Sequence, residues 1–231
     1  MSTPRLLLFD IDGTLLDTRG SGAGALLDAV EEVFGVPRDS LPPLDLAGAT
    51  DGGVVRKLFA DAGHPMTQER AEAYRRSYLS HLKRRLNHEA FAGRLLPAVR
   101  ELLAALAEVE HVHLGLLTGN LREGADYKLS RFDIHHHFID GAFGDDAEDR
   151  NLLGPIAVER MTKARGHDFE VAEVIVIGDT PKDIACARAL GARCLGVATG
   201  AFGIHHLSPH EPWQCLPDFA DTGRVVELLV G

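Results

Sequence analysis

The chain has 231 residues, of which 45% are hydrophobic and 25% charged, and its formal net charge is −10. That length accommodates one well-buried core, or a core with a small insert, of ordinary soluble composition. The acidic balance argues against a nucleic-acid partner, which demands a basic patch, and no apolar run approaches the ~20 residues of a membrane-spanning helix.

The chain begins with one basic residue, Arg5, and the apolar run 6–9 before Asp10. That run is too short for a signal-peptide core, so a cytoplasmic location is expected. It reads as a short buried strand, and Asp10-Ile11-Asp12-Gly13-Thr14-Leu15 follows at once. Residues i and i+2 of an extended chain point to the same side, so both acids can face one crevice while Gly13 lets the backbone turn. Two carboxylates this close repel each other unless a cation sits between them. The pair suits an attacking carboxylate, a proton-transferring acid and a divalent metal.

From residue 18 to 88 no buried strand is evident. Helical periods occupy 25–34, 54–62 and 67–86, punctuated by Leu41-Pro42-Pro43-Leu44 and His64-Pro65. This predicts a helical insert over 18–91, with 93–97 as the return hinge and Pro97 opening the next helix. Gly20-Ser21-Gly22-Ala23-Gly24-Ala25 spells G-x-G-x-x-A, but such a fingerprint must follow its strand directly, and a flexible hinge is the better reading. Asp51 is expected to cap the helix it opens, and to reach the crevice if the insert closes. Arg19, Arg56 and Lys57 are cations that could meet an anionic substrate tail.

Beyond the insert, strand-like runs at 112–117, 174–177 and 194–197 alternate with helical patterns at 98–107, 122–132, 151–164 and 182–190. Short apolar strands alternating with helices give an α/β fold: a Rossmann-like three-layer core around a parallel sheet. The predicted organisation is residues 1–17 with 92–231 as core and 18–91 as the inserted helical unit. Right-handed crossovers bring the C-terminal strand ends to one edge, where open α/β sheets bind ligands. Thr118-Gly119-Asn120 and Asp179-Thr180-Pro181-Lys182-Asp183 each follow such an end, as Asp10 does. Thr118 or Asn120 could cap the helix after them, and helix starts bind anions. The histidines 135–137 and 205–206 lack an i, i+4 pair with an acid and read as surface loops. Cys186, Cys194 and Cys215 form no C-x-x-C pair and are expected reduced.

Together these motifs resemble the haloacid dehalogenase superfamily, in particular its phosphoglycolate phosphatase and β-phosphoglucomutase branch with a helical cap. The resemblance implies a phosphomonoesterase acting on a small phosphorylated metabolite through an aspartyl-phosphate, with Mg²⁺ as cofactor. Asp10 would be the nucleophile and a metal ligand, and Asp12 the general acid and base, its backbone carbonyl also on the metal. Asp179 would complete the ligands, with Asp183 in support. Thr118, Gly119, Asn120 and Gly13 would hold the phosphoryl group. The family's lysine before the fourth motif is missing. Arg150 stands nearest that place, whereas Lys163 would lie about 20 Å further along a helix, and Lys182 is the next candidate. A second acid at Asp12 disfavours dehalogenation, since halide departs without a proton. A phosphomutase, and a non-catalytic binding or regulatory protein on the same scaffold, are the alternatives. Neither the substrate nor the oligomeric state is legible.

Overall fold

The computed structural model describes residues 3–41, 46–61 and 67–231. The predicted punctuation at Pro42, Pro43, Leu44, His64 and Pro65, and the end of the predicted helix at Ala62, lie outside them. In chain order the elements are β1 (Arg5–Phe9), β2 (Leu16–Asp17), α1 (Ser21–Phe34), α2 (Asp51–Asp61), α3 (Gln68–Leu86), β3 (Arg94–Leu95), α4 (Val99–Ala107), β4 (Val112–Leu117) and α5 (Arg122–Arg131). There follow β5 (Gly141–Ala142), α6 (Leu153–Arg165), β6 (Val174–Gly178), α7 (Pro181–Leu190), β7 (Arg193–Val197), α8 (Ile204–Leu207), β8 (Gln214–Leu216) and α9 (Thr222–Val230).

Six strands form one parallel sheet in the order β5-β4-β1-β6-β7-β8. β1 is central, with Leu7 facing Leu114 on one side and Ile175 on the other. Alternate side chains serve opposite faces. Leu7, Phe9, Leu114, Leu116, Ile175 and Ile177 join a core with α4, α5 and α9, whereas Leu6, Leu8, Val174 and Val176 pack with α6 and α7. α4 shows how a helix is held there. Val99, Leu102, Leu103 and Leu106 recur at helical spacing and are all buried, and each contributes about 2 kcal/mol.

Four predicted strands are confirmed, and β5 and β8 extend the sheet at its two ends. Both are only two or three residues long, too short to carry a periodic signal. β2 and β3 pair antiparallel, Leu16 with Leu95 and Asp17 with Arg94, so the chain leaves and re-enters the sheet side by side. Between them, α1, α2 and α3 share a separate apolar cluster that includes Leu26, Val30, Val55, Phe59, Tyr78 and Leu82. Three local expectations are corrected. The glycine-rich stretch is the first turn of α1, entered through Gly20 at φ 79°; packing overrides glycine's weak helix propensity, since Gly22 lies against Lys128 and a Cβ on Gly24 would overlap the Arg85 guanidinium. α4 starts at Val99, two residues after Pro97, because Ala98 is left-handed at φ 56°. Thr50, not Asp51, caps α2, its Oγ1 accepting from Gly53 N at 3.1 Å.

Candidate active site

Three strand ends converge. Asp10 follows β1, its N–H donating to Ile177 O at 2.9 Å, while Thr118 follows β4 and Asp179 follows β6. All three are at most 4% exposed. Gly13 turns the chain at φ 84°, and any Cβ there would overlap the Asp179 carboxylate, as would one on Gly200. The two glycines therefore form a cradle around Asp179, whose Oδ1 accepts from Thr14 Oγ1 at 3.0 Å.

Oxygen atoms of Asp10, Asp179 and Asp183 lie within 4.8 Å of one another, and all three residues are buried. Asp183 is drawn in by a double role. Its Oδ2 accepts from Thr180 N at 3.0 Å in a capping box that starts α7, while its Oδ1 accepts from Arg150. Such crowding disfavours charge. Burial lifts the Asp10 carboxyl to about 6, with Arg150 opposing and Asp183 and Asp12 adding to the rise. Burial, then Asp183 and Asp10, push Asp179 well above the carboxylate range. An all-carboxylate, buried, mutually repelling set fits a hard divalent cation.

Arg150, 6% exposed, is the one cation inside this cluster among the described residues. Asp149 sets the turn by accepting from Asn151 N at 2.9 Å, a 3-10 turn over Arg150–Leu152 that runs into α6. One guanidinium nitrogen, Nη2, lies 3.3 Å from Asp10 Oδ1 and donates to Asp183 and, at 3.3 Å, to Leu117 O. Nη1 donates to Gly48 O at 3.2 Å. Burial opposes the charge, yet Asp183 and Asp10 hold Arg150 protonated beyond its ordinary range. Its Nε is buried without a hydrogen-bond partner among the described residues. Lys163 pairs with Glu159 at 2.5 Å on an exposed face, away from the cluster.

Asp12 also lines the crevice, but its carboxylate turns towards α5. Asp12 Oδ2 accepts from Lys128 Nζ at 2.5 Å and from Asn120 Nδ2 at 2.8 Å. Asn120 donates as well to Thr118 Oγ1 at 2.8 Å, so Thr118, Asn120, Lys128 and Asp12 form one polar chain. Thr118 and Asn120 do not cap α5. Its first amides are met from elsewhere, Leu121 N by Asp51 Oδ2 at 3.1 Å and Arg122 N by Asp145 Oδ1 at 2.6 Å. Sequence reasoning missed Lys128. Its signal was position: with Gly124, Ala125 and Leu129 it forms the buried stripe of α5, where the pattern calls for an apolar side chain.

The crevice has a volume of about 450 Å³, and its outer wall comes from α1, α2 and the turn before α2. That turn sits directly on the sheet edge. Asp51 N donates to Gly119 O at 2.8 Å and Thr50 Oγ1 to Glu148 O at 2.8 Å; a Cβ on Gly119 would overlap the Ala49 carbonyl. Of the cations expected on this side, Arg19 pairs with Asp17 at 3.1 Å and Arg56 with Glu148 at 2.7 Å, both half-exposed; neither lines the crevice, nor does exposed Lys57. His135–His137 form a surface turn as expected, with His135 and His136 exposed near Asp133, whereas His205 and His206, exposed as well, lie in the short helix α8 and not in a loop. The three cysteines are unpaired. No described helix is long and apolar enough to cross a membrane.

The chain resembles known proteins over most of its length. The family model for haloacid dehalogenase-like hydrolases matches residues 7–188. The chain is 26% identical over 236 residues to a phosphoglycolate phosphatase of Photorhabdus laumondii, covering 97% of this chain and 93% of the relative. It is 26% identical over 235 residues to one of Vibrio cholerae, covering 100% and 99%. Among solved structures, a hydrolase from Pseudomonas syringae superposes with a TM-score of 0.73 over 98% of this chain and 99% of the other, at 22% identity.

Proposed function

The chain belongs to the haloacid dehalogenase-like hydrolase family, and on that premise we propose that it is a Mg²⁺-dependent phosphomonoesterase acting on a small phosphorylated metabolite through an aspartyl-phosphate. The observation that carries this reading is the buried group of Asp10, Asp179 and Asp183 with Arg150 beside it. The names of the relatives, phosphoglycolate phosphatases among them, support the same reaction class.

Asp10 attacks phosphorus, and the leaving alkoxide takes a proton from Asp12. Asp12 then removes a proton from the water that attacks the acyl phosphate, and inorganic phosphate departs. Thr118 and the Gly119 N–H hold the equatorial oxygens, as preset donors do for developing charge, while Gly13 and Asn120, whose own N–H groups donate to Leu16 O and Thr118 Oγ1, shape the phosphate cradle. Arg150 keeps Asp10 in line through the Nη2 contact at 3.3 Å and places its positive charge beside the phosphoryl group. Asp10, Asp179 and the Asp12 carbonyl would hold the Mg²⁺, with Asp183 in support, and bound there it would neutralise the repulsion between carboxylate and phosphate. Helices α1–α3 serve as a cap, inserted over residues 18–91, that excludes bulk water. A cytoplasmic location fits a metabolite substrate.

Purified protein with Mg²⁺ should release phosphate from members of a phosphate-ester panel, and Asp10→Asn should abolish release while keeping the fold by circular dichroism. Isomerised sugar phosphate without free phosphate would mean a phosphomutase; no turnover of any ester would leave a binding protein.

A further inference from the structure

Beyond the phosphate end, the crevice wall carries the apolar residues Gly20, Ala23, Leu26, Ala47 and Val54 and the ring of Tyr78, with Thr18, Asp17 and Asp51 among them. Its charged groups are few. Asp17 is spent on Arg19. Arg150 is committed to Asp10, Asp183 and two carbonyl oxygens. That leaves Lys128, which sits against Gly22 at the start of α1, its Nζ 3.2 Å from where a Cβ would stand.

Lys128 is not a free cation. Its Nζ donates to Asp12 Oδ2 and to Asn120 Oδ1, each at 2.5 Å, and its charge also faces half-buried Asp51, whose carboxyl is pushed up by burial and drawn back down by Lys128. One ammonium thus serves two carboxylates. Apart from Arg150, no other lysine or arginine lines the crevice among the described residues, and residues 42–45 and 62–66 contain neither type. A substrate's second anionic group would therefore enter a poorly solvated wall with surplus negative charge, where like charges cost several kcal/mol.

We propose that the alcohol half of the substrate is uncharged: the crevice takes the phosphate monoester of a neutral alcohol, of polyol or sugar size, and discriminates against esters with a second anion such as 2-phosphoglycolate. This rests on the phosphomonoesterase reading and narrows it. A volume of about 450 Å³ also exceeds what a two-carbon acid would fill.

The test compares 2-phosphoglycolate with its primary amide, carbamoylmethyl phosphate, which has nearly the same shape and no second charge. Each is measured as a substrate and as a competitive inhibitor of p-nitrophenyl phosphate hydrolysis by the full chain with Mg²⁺. The neutral ester should be favoured by ~10-fold or more in kcat/KM or in inhibition constant, and Asp51→Asn should narrow that ratio several-fold. Equal or better use of 2-phosphoglycolate overturns the inference and would seat its carboxylate on the open first turn of α1. A ratio unmoved by Asp51→Asn overturns it as well. Absence of p-nitrophenyl phosphate hydrolysis would instead defeat the phosphomonoesterase reading beneath it.

Discussion

Lys128 Nζ lies 2.5 Å from Asp12 Oδ2, and while the lysine side chain is 3% exposed the aspartate's is 42% exposed. The pair joins α5 to the turn after β1 and points the Asp12 carboxylate away from the buried acids. With Asn120 as a second donor at 2.8 Å, Asp12 is held on two sides, which would fix its carboxylate for the proton transfer proposed above.

Lys128→Met should therefore penalise esters by how badly their alcohol needs a proton. For alkyl phosphates kcat/KM should fall roughly 10- to 100-fold, within the span of general acid catalysis. For p-nitrophenyl phosphate, whose leaving group departs as a stable anion, the loss should be only a few-fold. Equal losses for both ester types would show that Lys128 supports the fold and not proton delivery.

Arg150 ties four things together: Asp10, Asp183, Leu117 O beneath them and Gly48 O above. Arg150→Ala strands two buried carboxylates, so turnover should drop about 100-fold and stability by ~3–5 kcal/mol. Arg150→Lys restores one charge but cannot span both carbonyl oxygens; it should recover stability more than turnover. Activities should be read well below each variant's melting temperature. Near-wild-type turnover in Arg150→Ala would remove the residue from the reaction, with Lys182 next to be tested.

The sequence made the sheet legible where apolar runs were long, as at β1, β4 and β6, and made the acids legible because each closes such a run. It hid what depends on contacts between segments. Asp183 is legible as a supporting acid by resemblance, but its partner Arg150, 33 residues earlier, is not. Lys128 is one cation among several on a helix until Asp12, 116 residues away, claims it. Arg19 and Arg56 failed as crevice cations for the opposite reason: Asp17 at the crevice rim and Glu148 outside it hold them with their side chains in solvent. Loop geometry decided Asp51 too, since its side chain serves Leu121 N across the crevice and not its own helix.

Away from the crevice, His113 on β4 packs against His167 and Phe169 with ring centroids 4.9 and 5.3 Å away, and its Nδ1 is buried without a hydrogen-bond partner among the described residues. Burial, then Arg165 and the neighbouring histidines, lower its pKa from 6.5 to about 4. The unfolded chain thus takes up this proton first as pH falls. The contribution is fully present above pH 6.5 and is lost progressively towards pH 4. His113→Phe should flatten that part of the curve, so its melting temperature should fall less than wild type's between pH 7 and 5. Parallel profiles would show that other groups set the acid sensitivity.

The buried acids make a last prediction about the protein without substrate. Asp10, Asp179 and Asp183 crowd one small volume with only Arg150 to offset them, so the folded state carries a repulsion that the unfolded chain escapes. A divalent ion bound only to the folded form should relieve it, and at 100 times its dissociation constant the gain is about 2.7 kcal/mol. For a chain of this size that is a rise of roughly 5–10 °C in melting temperature on adding Mg²⁺, reversed by chelation. Asp179→Asn keeps the acceptor for Thr14 Oγ1 and removes one charge. It should melt higher than wild type without metal, and Mg²⁺ should no longer raise its melting temperature. A wild-type melting temperature indifferent to Mg²⁺, Mn²⁺ and Ca²⁺ alike would mean that these carboxylates share protons and not a metal ion, and Asp10 would then lack the counter-charge it needs to approach a phosphate.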